Sequence, residues 1–283
     1  MDSKAEFRRA VGKALISLGL IAATATAAPR NDPTDQGVPS LVEHRAQGRS
    51  LVLQANASPR ADAKGTNTDA PFDPTDRYEV ETIEGWTVLV HSGLLNDQPD
   101  LTDRTLTHLR QQLAQVERRL PARAVEKLRR VRIWVEEQEP HHPCMAYHPD
   151  AGWLREHGMN PEKAGCVEIA NARNFLAWTL QQPWMVLHEL AHGYHHQFLE
   201  AGFANAEIKA AFQQAKKAKI YESVLRINGH EDRAYALTNP MEYFAEASEA
   251  FFGTNDFYPF VRPELKQHDP ALYDLLGKLW ENR

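Results

Sequence analysis

His188-Glu189-Leu190-Ala191-His192 is the stretch on which the reading of this 283-residue chain turns. Two imidazoles at i and i+4 of a helix lie one turn apart on one face, close enough to hold a single metal ion. The carboxylate beside the first can reach a water on that ion. Two ligands do not fill a tetrahedron, and a catalytic zinc takes three protein ligands plus water, so a third must come from elsewhere. His195 lies seven residues after His188, a rise of about 10.5 Å along a helix, too far for bonds of about 2.1 Å to one ion. The longer pattern H-E-x-x-H-x-x-G-x-x-H fails as well, since His195 stands where its Gly belongs and Phe198 where its last His belongs.

The remaining source is a carboxylate on a second helix. Asn239-Pro240-Met241-Glu242-Tyr243-Phe244-Ala245-Glu246 opens such a helix, its start marked by Pro240 in the first turn. Glu242 and Glu246 fall one turn apart on one face. Glu242 suits a metal ligand, and Glu246 a hydrogen-bond acceptor for the free ring nitrogen of a ligating histidine. Asn239 to Glu242 also has the spacing of a capping box, and an acidic first turn suits the helix dipole, so spacing alone leaves both roles for Glu242 open.

Around this core the chain is of ordinary globular composition, which excludes disorder throughout, and its net charge of −6 argues against a dedicated nucleic-acid binder. Lys4, Arg8, Arg9 and Lys13 precede an apolar run, Ala14 to Ala23, that ends in A-x-A sites at residues 23–25 and 25–27. Residues 1–27 therefore read as a signal peptide, the run being about half the ~20 residues that span a bilayer. They carry four basic and two acidic residues, so their removal takes the charge from −6 to −8. The expected product is secreted, extracellular or periplasmic, without stable membrane insertion. Residues 28–76, rich in Pro, Asp, Ala, Thr and Gly and without period, read as a disordered linker or pro-like segment.

From Tyr78 the pattern is that of a folded domain. Tyr78–Ile83 and Trp86–His91 around Glu84-Gly85 predict a hairpin. Leu106, Leu109, Leu113, Val116 and Leu120 recur at helical spacing up to Pro121. Residues 131–135 predict a strand, 153–158 a short helix stopped by Gly158, and 167–170 a short strand, either in the core of the sheet or at its edge beside the His188 helix. Helices are expected over 186–200, 206–219 and 240–252, with a last one from 271. Cys144 and Cys166 are the only cysteines, and in an oxidising compartment they are expected to form one disulfide, worth ~3 kcal/mol on the loop-entropy model. His141, His142 and His148 around Cys144 read as a solvated loop.

Taken together, the HExxH block and the block from Tyr235 to Glu246 resemble the catalytic domain of anthrax lethal factor and related gluzincin metallopeptidases, including the proline-specific clostridial endopeptidases. In that family the second block has the form Y-x-x-T/S-N-x-x-E-F/Y-F/W-A-E, and the similarity spans roughly residues 180–255. The resemblance implies His188, His192 and Glu242 as ligands of one zinc ion per chain and Glu189 as general base. It further implies Tyr235 as a hydrogen-bond donor to the transition state and Glu246 behind the metal ligands. The fold it implies is an α+β, zincin-like domain over 77–283, with a small mixed sheet in 77–178, a central HExxH helix and a helical half in 179–283. The expected activity is hydrolysis of peptide bonds in a peptide or protein substrate by a monomer. The competing class is an exported binding domain with a structural or vestigial zinc.

Overall fold

The structure is a computed structural model that describes residues 71–281. The expected signal peptide and the expected linker up to residue 70 lie outside the described residues. The last residues assigned to the linker are placed against the domain: Asn160 Nδ2 donates to the Asp73 carbonyl at 3.1 Å and to Thr75 Oγ1 at 3.2 Å.

The fold is mixed α+β. Strands β1 (Tyr78–Ile83) and β2 (Trp86–His91) form the expected hairpin. Glu84 (φ 49°) and Gly85 (φ 83°) both sit in the left-handed region, as a two-residue turn matching the strand twist requires. Helices α1 (Ser92–Asp97), α2 (Pro99–Arg119) and α3 (Ala122–Leu128) then cross over to β3 (Ile133–Val135), and α2 buries Leu106, Leu109, Leu113 and Val116. After β4 (Met145–His148) and α4 (Ala151–Glu156) comes β5 (Cys166–Ile169), then α5 (Ala172–Trp178) and α6 (Met185–Phe198). The rest is helical apart from the two-residue strands β6 (Val224–Leu225) and β7 (Glu231–Asp232). It comprises α7 (Ala206–Ala218), α8 (Pro240–Phe252), α9 (Arg262–His268) and α10 (Pro270–Glu281). No helix among the described residues is long and apolar enough to cross a membrane.

The main sheet has the order β1-β2-β3-β5-β4, parallel from β2 through β3 to β5 and antiparallel at both flanks. This decides the position left open for residues 167–170. The strand at 166–169 is interior, and the edge beside α6 is β4, drawn from the segment read as a solvated loop. All four β4 residues are buried, and so is His142. Alternation divides the sheet faces. Val88, Val90, Ile133, Val135, Met145, Tyr147, Val167 and Ile169 join the main core with the helices, whereas Tyr78, Leu89, Trp134 and Cys166 form a separate cluster. Beside that second cluster runs a buried polar chain: Tyr78 donates to Glu136, Lys163 bridges Glu136 and Glu168, and His148 Nε2 meets Glu168 Oε2 at 2.7 Å.

The register also rules out the expected disulfide. His148 opposes Cys166 at one end of the β4–β5 ladder, while Cys144 lies beyond the Met145–Ile169 pair at the other. Three to four residues of strand separate the two levels, roughly 10–13 Å at 3.3 Å per residue, against a limit of about 7 Å for bridged Cα atoms. Both thiols are free. Cys144 Sγ packs on Met185 Sδ at 3.5 Å in the main core, where burial pushes its pKa well up, and Cys166 belongs to the cluster on the other face.

Helices α6 and α8 pack antiparallel: Trp184 meets Gly253, His188 meets Glu249, and His192 meets Glu242. At the first of these contacts a Cβ on residue 253 would lie 1.9 Å from the buried Trp184 indole. Gly253→Ala is therefore expected to destabilise by about 1–3 kcal/mol through overpacking, read as a lower denaturant midpoint at unchanged m-value.

Candidate metal centre

Helix α6 carries His188, Glu189 and His192 through the middle of the molecule. It has no side-chain cap at Trp184, and every residue from Met185 to His195 is buried, so tertiary packing rather than local capping maintains it. Helix α8 is started locally: Asn239 Oδ1 accepts from the amides of Met241 and Glu242, both at 2.9 Å, and Pro240 occupies the first turn. With Asn239 serving these amides, the Glu242 carboxylate projects toward α6.

Three donor atoms converge there. His188 Nε2 lies 3.0 Å from Glu242 Oε2 and 3.1 Å from His192 Nε2, and His192 Nε2 lies 3.4 Å from the same carboxylate oxygen. Ligands of a tetrahedral zinc with bonds of about 2.0–2.1 Å are about 3.3 Å apart. All three residues are at most 3% exposed. Glu242 Oε1 has no hydrogen-bond partner among the described residues.

The protonation pattern points the same way. His188 Nδ1 meets Glu249 Oε1 at 2.7 Å, and a carboxylate can only accept, so a proton on Nδ1 is held there; in the neutral ring Nε2 then offers its lone pair to an ion. Nε2 faces a carboxylate oxygen and a second imidazole nitrogen, the arrangement that a bound cation would complete. Burial alone would raise the Glu242 pKa, but the His192 and His188 imidazoles outweigh it and hold the carboxyl well below its usual range. The donor set, two imidazole nitrogens and one carboxylate oxygen, fits zinc.

Glu189 stands beside this trio and outside it. Its Oε2 accepts from the backbone amide of Tyr147 on β4 at 3.0 Å. The same Tyr147 sends its phenol to His196 Nδ1 at 2.8 Å, and Gln197 Nε2 donates to that phenol at 2.9 Å. Burial raises the phenol pKa and keeps it a neutral donor. The edge strand is thus fastened to α6 at two points. Tyr235 lies half-buried in the short 3-10 turn Tyr235–Leu237 that leads into α8.

Glu246 is buried on the same face of α8, but its Oε1 is 3.8 Å from His188 Nδ1, and the hydrogen bond expected of it is made by Glu249. Glu249 is a correction to the reading of α8. It was legible as the third acid at i+7 from Glu242, but spacing alone does not say which turn meets the ring. His195 belongs to no ligand set; it packs between Phe203 and Phe244, and burial, then the neighbouring His192 and His196, lower its pKa to about 3. Among the described residues, metal-type groupings comprise His188, His192 and Glu242, and His188, Glu246 and Glu249; the histidines around Cys144 are in neither.

Comparison with protein-family models and with curated proteins gives no match. Among solved structures, the chain is similar to the PRO-PRO endopeptidase (PPEP-2) from Paenibacillus alvei, at 18% identity and a TM-score of 0.38, over 70% of this chain and 99% of that one.

Proposed function

We propose that the chain is a secreted zinc-dependent metallopeptidase of gluzincin type, with His188, His192 and Glu242 holding one zinc ion and Glu189 acting as general base. The observation that carries this is the convergence of three buried donor atoms 3.0–3.4 Å apart, with the Glu189 carboxylate, adjacent to His188 in the chain, outside that grouping and on the Tyr147 amide. A structural zinc takes four protein ligands and closes its shell, whereas this grouping has three. Secretion is supported by the signal-like residues 1–27.

When bound, zinc supplies a Lewis acid that polarises a carbonyl and brings a water's pKa to about 7. Glu189, held by the Tyr147 amide through one oxygen, takes the proton of the attacking water and passes it to the departing amine. Tyr235, by the family resemblance, donates to the oxyanion that forms at the carbonyl carbon. β4, the last strand of the sheet and next to the base, is where an extended peptide would pair.

The test joins metal content to cleavage. The expected result is one zinc per chain, lost on Glu242→Ala, with hydrolysis of a peptide library that chelation stops and zinc restores. A protein that binds zinc in this way and leaves every peptide intact overturns the peptidase reading. One that keeps its zinc after Glu242→Ala overturns the ligand assignment.

A further inference from the structure

We propose that Glu249, rather than Glu246, is the positioning residue that fixes the His188 ring for metal binding; this rests on the zinc reading above. Glu242, Glu246 and Glu249 follow one another at i, i+4 and i+7 along the face of α8 turned to α6, and each is at most 1% exposed. Because the helices run antiparallel, His188 stands opposite the later turns of α8. Its Nε2 is directed to Glu242 and His192, and its Nδ1, on the other side of the ring, is directed to Glu249 Oε1 at 2.7 Å.

Glu246 lies between these levels, its carboxylate on the same side as Glu249 but farther from the ring. Its nearer oxygen is 3.8 Å from Nδ1, beyond hydrogen-bonding distance. The Glu246 side chain instead borders a cavity of about 10 Å³ shared with Tyr221, Tyr243 and Asn255. The family resemblance assigns the outer position to the acid four residues after the ligand. In this chain the acid seven residues after it has the contact.

The bond from Nδ1–H to Glu249 selects the tautomer whose Nε2 lone pair meets the ion, sets the ring plane and raises the ring's basicity. Loss of such a partner typically costs 10–100-fold in metal affinity. Glutamine at 249 keeps the size of the side chain and removes its charge, so the loss should appear in the metal-bound state and not in the folding of the metal-free protein.

The experiment measures zinc dissociation constants by competition with a chromophoric chelator for the wild type, Glu249→Gln, Glu246→Gln and, as a control, His192→Ala. Absorption spectra of the cobalt-loaded proteins and denaturant midpoints of the metal-free ones accompany it. Expected are a 10–100-fold weaker zinc affinity and an altered cobalt spectrum for Glu249→Gln, an affinity within about threefold of wild type for Glu246→Gln, and metal-free midpoints that do not separate the two. A tenfold or greater loss in Glu246→Gln overturns the proposal even if Glu249→Gln fails to fold. So does an unaltered affinity in Glu249→Gln, or a stoichiometry of two zinc ions per chain, which would make Glu249 a ligand. If instead the wild type binds no zinc, or His192→Ala binds it as tightly as wild type, the zinc reading itself has failed, and that outcome is distinct from the others.

Discussion

Glu189→Gln is expected to retain one zinc per chain and to lose about 10²–10⁴-fold in kcat on any peptide the wild type cleaves, the usual span for removing a general base. Retention follows from geometry: the Glu189 carboxylate is on the Tyr147 amide and takes no part in the trio of donor atoms. Loss of rate follows from chemistry, because an amide cannot take a proton from water near neutral pH. Metal analysis alongside steady-state kinetics decides the matter. A variant that keeps its rate would remove Glu189 from the mechanism, and one that sheds zinc would place it among the ligands.

Acid is expected to begin destabilising the metal-free protein before its carboxylates titrate. Burial, then the neighbouring His148, lowers the His142 pKa from 6.5 to about 3, and both its ring nitrogens are buried without hydrogen-bond partners. His195, buried against two aromatic rings, is lowered to about 3 as well. Below pH 6.5 the unfolded chain takes up protons on these two rings that the folded chain refuses. The stability they contribute is therefore complete above pH 6.5 and falls with pH through the interval down to about 3. Each ring removes about 1.4 kcal/mol per pH unit, so the pair removes about 2.7, a steep slope against a typical total of 5–15 kcal/mol. Glu168 adds to the loss further down: burial would raise its pKa, but Lys163 foremost holds it well below the usual range, so its contribution fades once pH drops below about 4.5. Denaturant titrations between pH 7.5 and 4.5 measure the slope, and His142→Leu should roughly halve it. An unchanged midpoint across that range would mean that these rings are protonated in the fold.

Features specified within one or two helical turns were legible in the sequence. The hairpin at 78–91 follows from alternation and a Glu-Gly turn, α2 from its leucine spacing, and α8 from Asn239 and Pro240. The trio was legible in the same way, since its members are two side chains one turn apart and a third at the start of a capped helix. What depends on how distant segments meet was not. Strand β4 is four residues with no distinguishing pattern, and it is buried because α6 lies against it. The cysteine pairing failed because the number of residues between two thiols says nothing about strand register, and register set Cys144 and Cys166 at opposite ends of the ladder. The choice between Glu246 and Glu249 depended on which turn of α8 faces the His188 ring.

The amide of Tyr147 has one more implication. It lies on the strand at the border of the sheet, where unpaired backbone groups invite another chain to add itself. In this protein one of those groups is already claimed by the Glu189 carboxylate. The side chain assigned to proton transfer thus also tethers the border strand to the helix that carries it. An alanine there would untie the Tyr147 amide while disabling the chemistry, whereas a glutamine keeps an oxygen for the amide and lets the two losses be told apart.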